Sequence, residues 1–466
     1  MFKKRIMLGT AAVLLFSSIL TACGGEYKPS NSAETGSEEQ GTLRILSGVV
    51  GGKTPEENDL FQKEVERLTG MKVTIEKPST DYDKKLLTSI SNGEKYDLVY
   101  MNQGVMDKLV EQGALTDLTS QIEASKVLSD PAVIPAEEWD MIKYDDKIYS
   151  VFNKFEGGTL PIVRKDWLDK LGLQEPKTLD EFYNVLKAFK EQDPDGNGKD
   201  DTYGLSTSGL YDIQGFMSAA GLKYKYVIDS DGKRTIPYAT EQAVPMYDWF
   251  AKLYKEGILD PNFATNDTKK MRDLFLTNRV GMVTYWDAWV GQFNNLGQKD
   301  NPKFEAKGIA GALGPDGKII LRRGEPSVWG IPVNAEHPEL AMKFLEFWHS
   351  EQGNLLGTIG IEGHDYTVAN GKYELTAEGE SHSMDHGAPF VYNTNFKNPF
   401  GVLPGIMEAR QIILDNNAQV EIGTERWADA EKIIQNYAFQ AMMGKMPAAE
   451  AVKSMNDELK AADLID

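Results

Sequence analysis

Leu43-Arg44-Ile45-Leu46, a helical pattern over 55–69, Val73-Thr74-Ile75, a second helical pattern over 83–90 and the apolar run 96–101 decide the fold class. Short apolar runs read as strands, and the longer amphipathic runs between them read as helices. Strand and helix in strict alternation imply a parallel sheet covered by helices on both faces. Such a sheet opens its ligand crevice beyond the carboxyl ends of its strands. The residues just past those ends are Ser47, Gly48, Asn102 and Gln103.

The same grammar resumes downstream. Leu160-Pro161-Ile162-Val163 starts a second alternating region, with helices at 166–171 and 179–191 and a helical stripe of Phe250, Leu253 and Tyr254 within 242–255. Val280-Gly281-Met282-Val283-Thr284 reads as a strand running directly into Tyr285-Trp286-Asp287-Ala288-Trp289, and 328–333 as another. Ala341, Phe344, Leu345 and Trp348 fall at helical spacing and are assigned to a core. The last hundred residues are largely helical, with amphipathic runs over 406–413, 427–441 and 448–459.

Upstream, Lys3, Lys4 and Arg5 precede an apolar stretch over 6–20 that ends Leu20-Thr21-Ala22-Cys23. A spanning helix needs about 20 uninterrupted apolar residues, and Gly9, Thr10, Ser17 and Ser18 break this one. It reads as a signal peptide over 1–22. Cys23 is the one cysteine of the chain, which rules out an internal disulfide and suits a lipid attachment point. Residues 23–40 are polar and small, and read as a flexible tether. The expected location is the extracellular face of the cell membrane, reached through a lipid anchor only.

The formal charge is −20, and loss of the three basic signal residues takes the remainder to about −23. That balance argues against a nucleic-acid partner. It also argues mildly against a polyanionic ligand, although Arg322 and Arg323 could override the general field at short range. No Walker loop, zinc-protease motif, nucleophile elbow or dinucleotide fingerprint is present.

Four stretches carry a family resemblance: Val163-Arg164-Lys165-Asp166-Trp167-Leu168-Asp169-Lys170-Leu171-Gly172-Leu173 with Pro176 and Thr178; Asp193-Pro194-Asp195-Gly196-Asn197-Gly198-Lys199-Asp200-Asp201; Gly281-Met282 leading to Trp286; and Gly360-Ile361-Glu362-Gly363 with Tyr366. In this order, behind a lipobox and a polar tether, the chain resembles the family-1 extracellular solute-binding proteins, in particular the lipoproteins that serve oligosaccharide ABC importers. The resemblance implies an α/β, two-lobed periplasmic-binding-protein-like fold of type II, a hinge between the lobes and a largely helical C-terminal region. It also implies a monomer that captures a small polar solute, hands it to ABC permease subunits and catalyses nothing. One lobe is expected at 41–155 plus 285–327 and the other at 160–280 plus 333–466. Crossovers are expected near 156–159, 281–286 and 328–332.

Trp286, Asp287 and Trp289 are the leading candidates for substrate contact, because sugar rings stack on aromatic planes while their hydroxyls need groups that donate and accept. Trp329, Asn102, Gln103, Glu362 and Tyr366 are further candidates. Asp193, Asp195, Asn197, the Lys199 carbonyl and Asp201 occupy positions one, three, five, seven and nine of an EF-hand-like loop, which predicts a structural calcium ion. Gly204 stands at the twelfth position instead of the bidentate Glu, and Thr202 follows the ninth, where similar calcium loops sometimes add a carboxylate. His382 and His386, with Asp385 between them, have metal-like spacing, but Gly387 and Pro389 argue against a helix there. The competing class is a secreted carbohydrate-active enzyme using two carboxylates across a cleft, with Asp287 and Glu362 the pair to test. A surface receptor for sugar signalling would use the same lobes.

Overall fold

The computed structural model describes residues 41–382, 391–416, 418–421 and 426–466. The expected signal peptide, the tether, Cys23, Asp385, His386 and the His382 side chain lie outside the described residues.

The strand Leu43–Leu46 sits between Val73–Glu76 and Leu98–Asn102, parallel to both. The helix Pro55–Thr69 that follows it begins with a capping box, in which Thr54 accepts from the Glu57 amide while Glu57 reaches back to the Thr54 amide. It ends at Gly70, whose φ of 73° only glycine adopts without cost. Phe61 and Val65 on its inner face bury it against the sheet. Ser327–Gly330 joins the sheet antiparallel to Leu98–Asn102, and Ser150–Phe152 closes it antiparallel to Ser327–Gly330.

A second sheet runs in the order Gln419–Val420, Arg322–Arg323, Gly158–Arg164, Val280–Trp286, Tyr203–Ser206, with Ala306–Gly308 also paired to Gly158–Arg164. Val280–Trp286 is parallel to Tyr203–Ser206 and antiparallel to Gly158–Arg164. The helix Leu179–Glu191 repeats the capping box with Thr178 and Glu181 and buries Phe182, Leu186 and Phe189. Trp427–Met442 and Ala448–Ala461 close this half with Ala430, Ile434, Ala438, Met455 and Leu459 in its core.

The cores follow the sheets. Residues 43–155 share one cluster with Val328, Trp329, Phe344, Trp348, Leu356 and Tyr392. Residues 160–321 share two others with 409–465. The lobe boundaries read from the sequence are therefore corrected. Residues 289–323 stay with the second sheet, because the helix Trp289–Asp300 folds back onto the strand Val280–Trp286 that precedes it. Residues 327–361 belong to the first, because Ser327–Gly330 pairs there and the helix Pro338–Trp348 buries Phe344 and Trp348 against it. The chain passes between halves at 153–157, again at 324–326, and a third time between Tyr392 and Ile406. No helix among the described residues is long and apolar enough to cross a membrane.

Candidate functional site

Both sheets end at the crossovers. Leu98–Asn102 finishes at Asn102, paired to Ser327 just beyond the second crossover. In the other sheet Trp286 and Arg322 both pair with Thr159, so the three side chains form one row on one face of three neighbouring strands. The Arg322 guanidinium consequently stands 5.5 Å from the Trp286 ring and 5.4 Å from the ring of Tyr211. Tyr211 follows the strand Tyr203–Ser206 by a short turn, at the carboxyl edge where a crevice is expected. Gly324 lies against the row: a β-carbon there would come within 3.1 Å of Trp286 and 3.3 Å of Glu156, and the second crossover passes through that narrow gap. Trp286 and Tyr211 are both half-buried, which leaves ring surface open to a solute.

Beneath this row lies a buried network of charge. Arg323 donates to both oxygens of Glu138, at 2.9 and 2.6 Å, and to the Glu156 carbonyl at 3.2 Å. The Tyr392 hydroxyl donates to Glu138 at 2.8 Å. Asp287 faces Arg410 at 3.5 Å, and a β-carbon on Gly157 would strike its carboxylate at 1.9 Å. Phe155, on the first crossover, has Arg323 and Arg410 over its ring at 4.9 and 4.4 Å. Burial pushes the Asp287 carboxyl up, against the pull of Arg410. Glu138 and Tyr392 come from the first half, and Arg323, Asp287 and Arg410 from the second. The network therefore ties the halves together where the chain crosses.

A sequence model of the family described as bacterial extracellular solute-binding protein matches residues 52–355. The chain belongs to that family. Lipoprotein LipO of Bacillus subtilis (strain 168) is 26% identical over 394 residues, 80% of this chain and 75% of that one. A calcium-free crystal structure of the alginate-binding protein AlgQ2 aligns with a TM-score of 0.63 at 22% identity, covering 91% of this chain and 95% of that one. The FusA substrate-binding protein of an ABC transporter from S. pneumoniae, an EF-hand mutant in complex with fructo-nystose, aligns with a TM-score of 0.61 at 18% identity, covering 91% and 97%. These structures establish the two-lobed binding-protein fold.

Within this solute-binding protein the expected contact residues separate. Trp286 stands in the row at the crossovers. Asp287, 2% exposed, is engaged by Arg410 beneath it and is no free reader of hydroxyls. Trp289 packs edge-on against Tyr285 and at a tilt against Phe293, under the Arg272 guanidinium, 4.2 Å from its ring. Trp329 is fully buried, bonded through its indole N–H to Asn153 and edge-on to Tyr100 and Phe344, so its candidacy for ligand contact is corrected to a core role. The Asn102 side chain caps the helix Gln103–Glu111 by accepting from the Val105 amide, and Gln103 donates to the Met141 carbonyl. Glu362 and Tyr366 neighbour Glu64 and Arg67 in the last turns of Pro55–Thr69. A helix after a parallel strand returns toward the amino edge of the sheet, so these two stand away from the crevice, and the expectation that they touch solute is corrected. Asp287 and Glu362 thus do not form a facing pair. Tyr211, Glu138, Arg410 and Tyr392 were missed from the sequence; Tyr211 alone had a signal, its place just past a strand.

The 193–201 loop coils around Asp193, whose carboxylate accepts from the amides of Gly196, Asn197 and Gly198 at 3.0–3.1 Å. The Asn197 side chain bridges Asp195 at 2.7 Å and Asp201 at 3.1 Å, and Arg279 holds the other Asp201 oxygen at 2.6 Å. Burial and the adjacent Asp193 push the Asp195 carboxyl up. Among the described residues no three acidic, His or Cys side chains stand in metal-holding geometry. The donor types nevertheless suit a hard cation: three carboxylates in one turn, two of them repelling each other, with the Asn197 amide oxygen, which here accepts from the Lys199 amide, as a fourth oxygen.

Proposed function

We propose that this solute-binding protein captures an oligosaccharide at the crossovers between its lobes, closes around it and delivers it to the permease of an ABC importer. The observation that carries the reading is the row of Trp286, Thr159 and Arg322 with Tyr211 beside it, at the point where both sheets end. Open aromatic faces next to donors and acceptors suit a sugar ring and its hydroxyls. AlgQ2, an alginate-binding protein, and FusA, in complex with fructo-nystose, support the same substrate class. Closure is a rotation about the crossovers, where Gly157 and Gly324 thread between side chains. No chemical step belongs to this cycle.

Two further assignments belong to the proposal. Calcium would be held by Asp193, Asp195, Asn197, the Lys199 carbonyl and Asp201, fixing the loop without touching solute. Cys23 would carry the lipid that tethers the protein to the outer face of the membrane, as the name of LipO suggests for that relative.

Thermal melting of residues 24–466 with calcium, against a panel of neutral and acidic oligosaccharides, tests the reading. A ligand at 100 times its Kd adds about 2.7 kcal/mol, so a matching sugar should raise Tm by a few degrees and be recovered intact. Cleaved sugar, or no shift across the panel, contradicts the proposal.

A further inference from the structure

Resting on the reading of the cleft as a sugar site, we infer that it is built for uncharged oligosaccharides, with Arg322 serving hydroxyl groups while Glu421 neutralises its charge. An arginine at the mouth of a cleft is the residue best suited to grip a uronate, through a bidentate pair with its carboxylate. Arg322 already faces a carboxylate of the protein as an ion pair: its Nε lies 3.1 Å from Glu421 Oε2. Glu421 is locked in place, its side chain 7% exposed and its Oε1 accepting from the Tyr224 amide at 3.1 Å. Aromatic rings at 5.4 and 5.5 Å hold the guanidinium from the sides, so it has little freedom to turn toward a second anion.

Three other cations around the crossovers are engaged in the same way. Arg323 is taken by Glu138, Arg410 faces Asp287, and Lys154 stands 3.6 Å from Glu156. Asp212 is buried next to Tyr211, accepting from the amide and hydroxyl of Ser208. An incoming uronate would thus add negative charge where each of these cations already has its carboxylate, in a chain whose overall charge is −20. A hydroxyl meets no such conflict, since it accepts from a guanidinium and donates to a carboxylate.

The test is native mass spectrometry of residues 24–466 with an equimolar mixture of nystose, kestose, maltotriose, trigalacturonate and an alginate trisaccharide. Calorimetry on whichever sugars bind then supplies affinities. The expected result is that neutral sugars bind at least about tenfold more tightly than the two acids. Their affinity should be insensitive to salt between 50 and 500 mM, because an uncharged ligand releases no screening. In Glu421→Gln the preference should move toward the acids by about tenfold or more. If that variant fails to fold by circular dichroism, Arg322→Gln replaces it, with neutral affinity expected to fall about tenfold. Preferential binding of the acids by the native chain, with affinity falling as salt rises, overturns the inference and leaves the sugar-binding reading standing. Binding of none of the five overturns that reading itself, and the inference with it.

Discussion

Replacing Glu138 by Gln should be among the most destabilising single changes near the crossovers, because it leaves Arg323 charged and buried without its counter-charge. Both side chains are 7% exposed, and the pair is bidentate at 2.6 and 2.9 Å, with the Tyr392 hydroxyl completing it. Removing one partner of such a pair costs about 3–5 kcal/mol. For a compact unit spanning 41–466, an unfolding entropy of about 2 cal/mol/K per residue gives about 0.9 kcal/mol/K, so Tm should fall by roughly 3–6 °C. The double change Glu138→Leu with Arg323→Met removes both charges and should recover most of that loss, since a buried ion pair contributes little over an apolar pair of similar size. Differential scanning calorimetry on the native protein, Glu138→Leu, Arg323→Met and the double variant gives the coupling directly. A Glu138→Gln protein within 1 °C of the native Tm, or a double variant worse than either single one, would refute the idea that this pair is a dehydrated tie between lobes.

Trp286→Ala should weaken whichever sugar binds by about tenfold or more, the loss of one stacking face, with Tm of the free protein nearly unchanged; calorimetric titration checks both. Chelation of calcium should lower Tm, and Asp193→Ala should both lower Tm and remove the response to chelator; an unmoved melting curve with EDTA contradicts the metal assignment. His349 is buried with its Nε2 2.8 Å from the Phe152 carbonyl, and burial lowers its pKa to about 4 from about 6.5. The unfolded chain therefore binds the extra proton first, so this group's contribution is intact above pH 6.5 and is lost as pH falls toward 4, by about 3 kcal/mol. Urea unfolding of native protein and His349→Gln should show the difference between them shrinking over that window; a pH-independent difference contradicts the buried neutral imidazole.

The alternation over 43–102 was legible because short apolar runs there alternate with amphipathic ones, and the first helix opens on a strong signal, the capping box of Thr54 with Glu57. The core role of Ala341, Phe344, Leu345 and Trp348 followed from spacing alone. The topology of 285–361 was not legible. Arg322–Arg323 is a strand of two residues whose charge reads as surface, and its partner strands lie more than a hundred residues earlier and almost a hundred later. Trp329 and Trp286 look alike in sequence, each at or near a strand end, yet one is enclosed by Tyr100 and Phe344 and the other faces Gly324. Arg410 lies on an amphipathic helix where a charge normally means solvent; only the third passage between lobes brings it under Phe155. Charges that pair across lobes leave no local pattern to read.

Reversible capture by hinge closure must change the dimensions of the protein in solution. Small-angle X-ray scattering of residues 24–466, with calcium, before and after addition of each sugar that raises Tm, tests it most directly. Closure should give a smaller radius of gyration at unchanged molecular mass, reversed when the intact sugar is dialysed away. An unchanged radius at saturating sugar would contradict it.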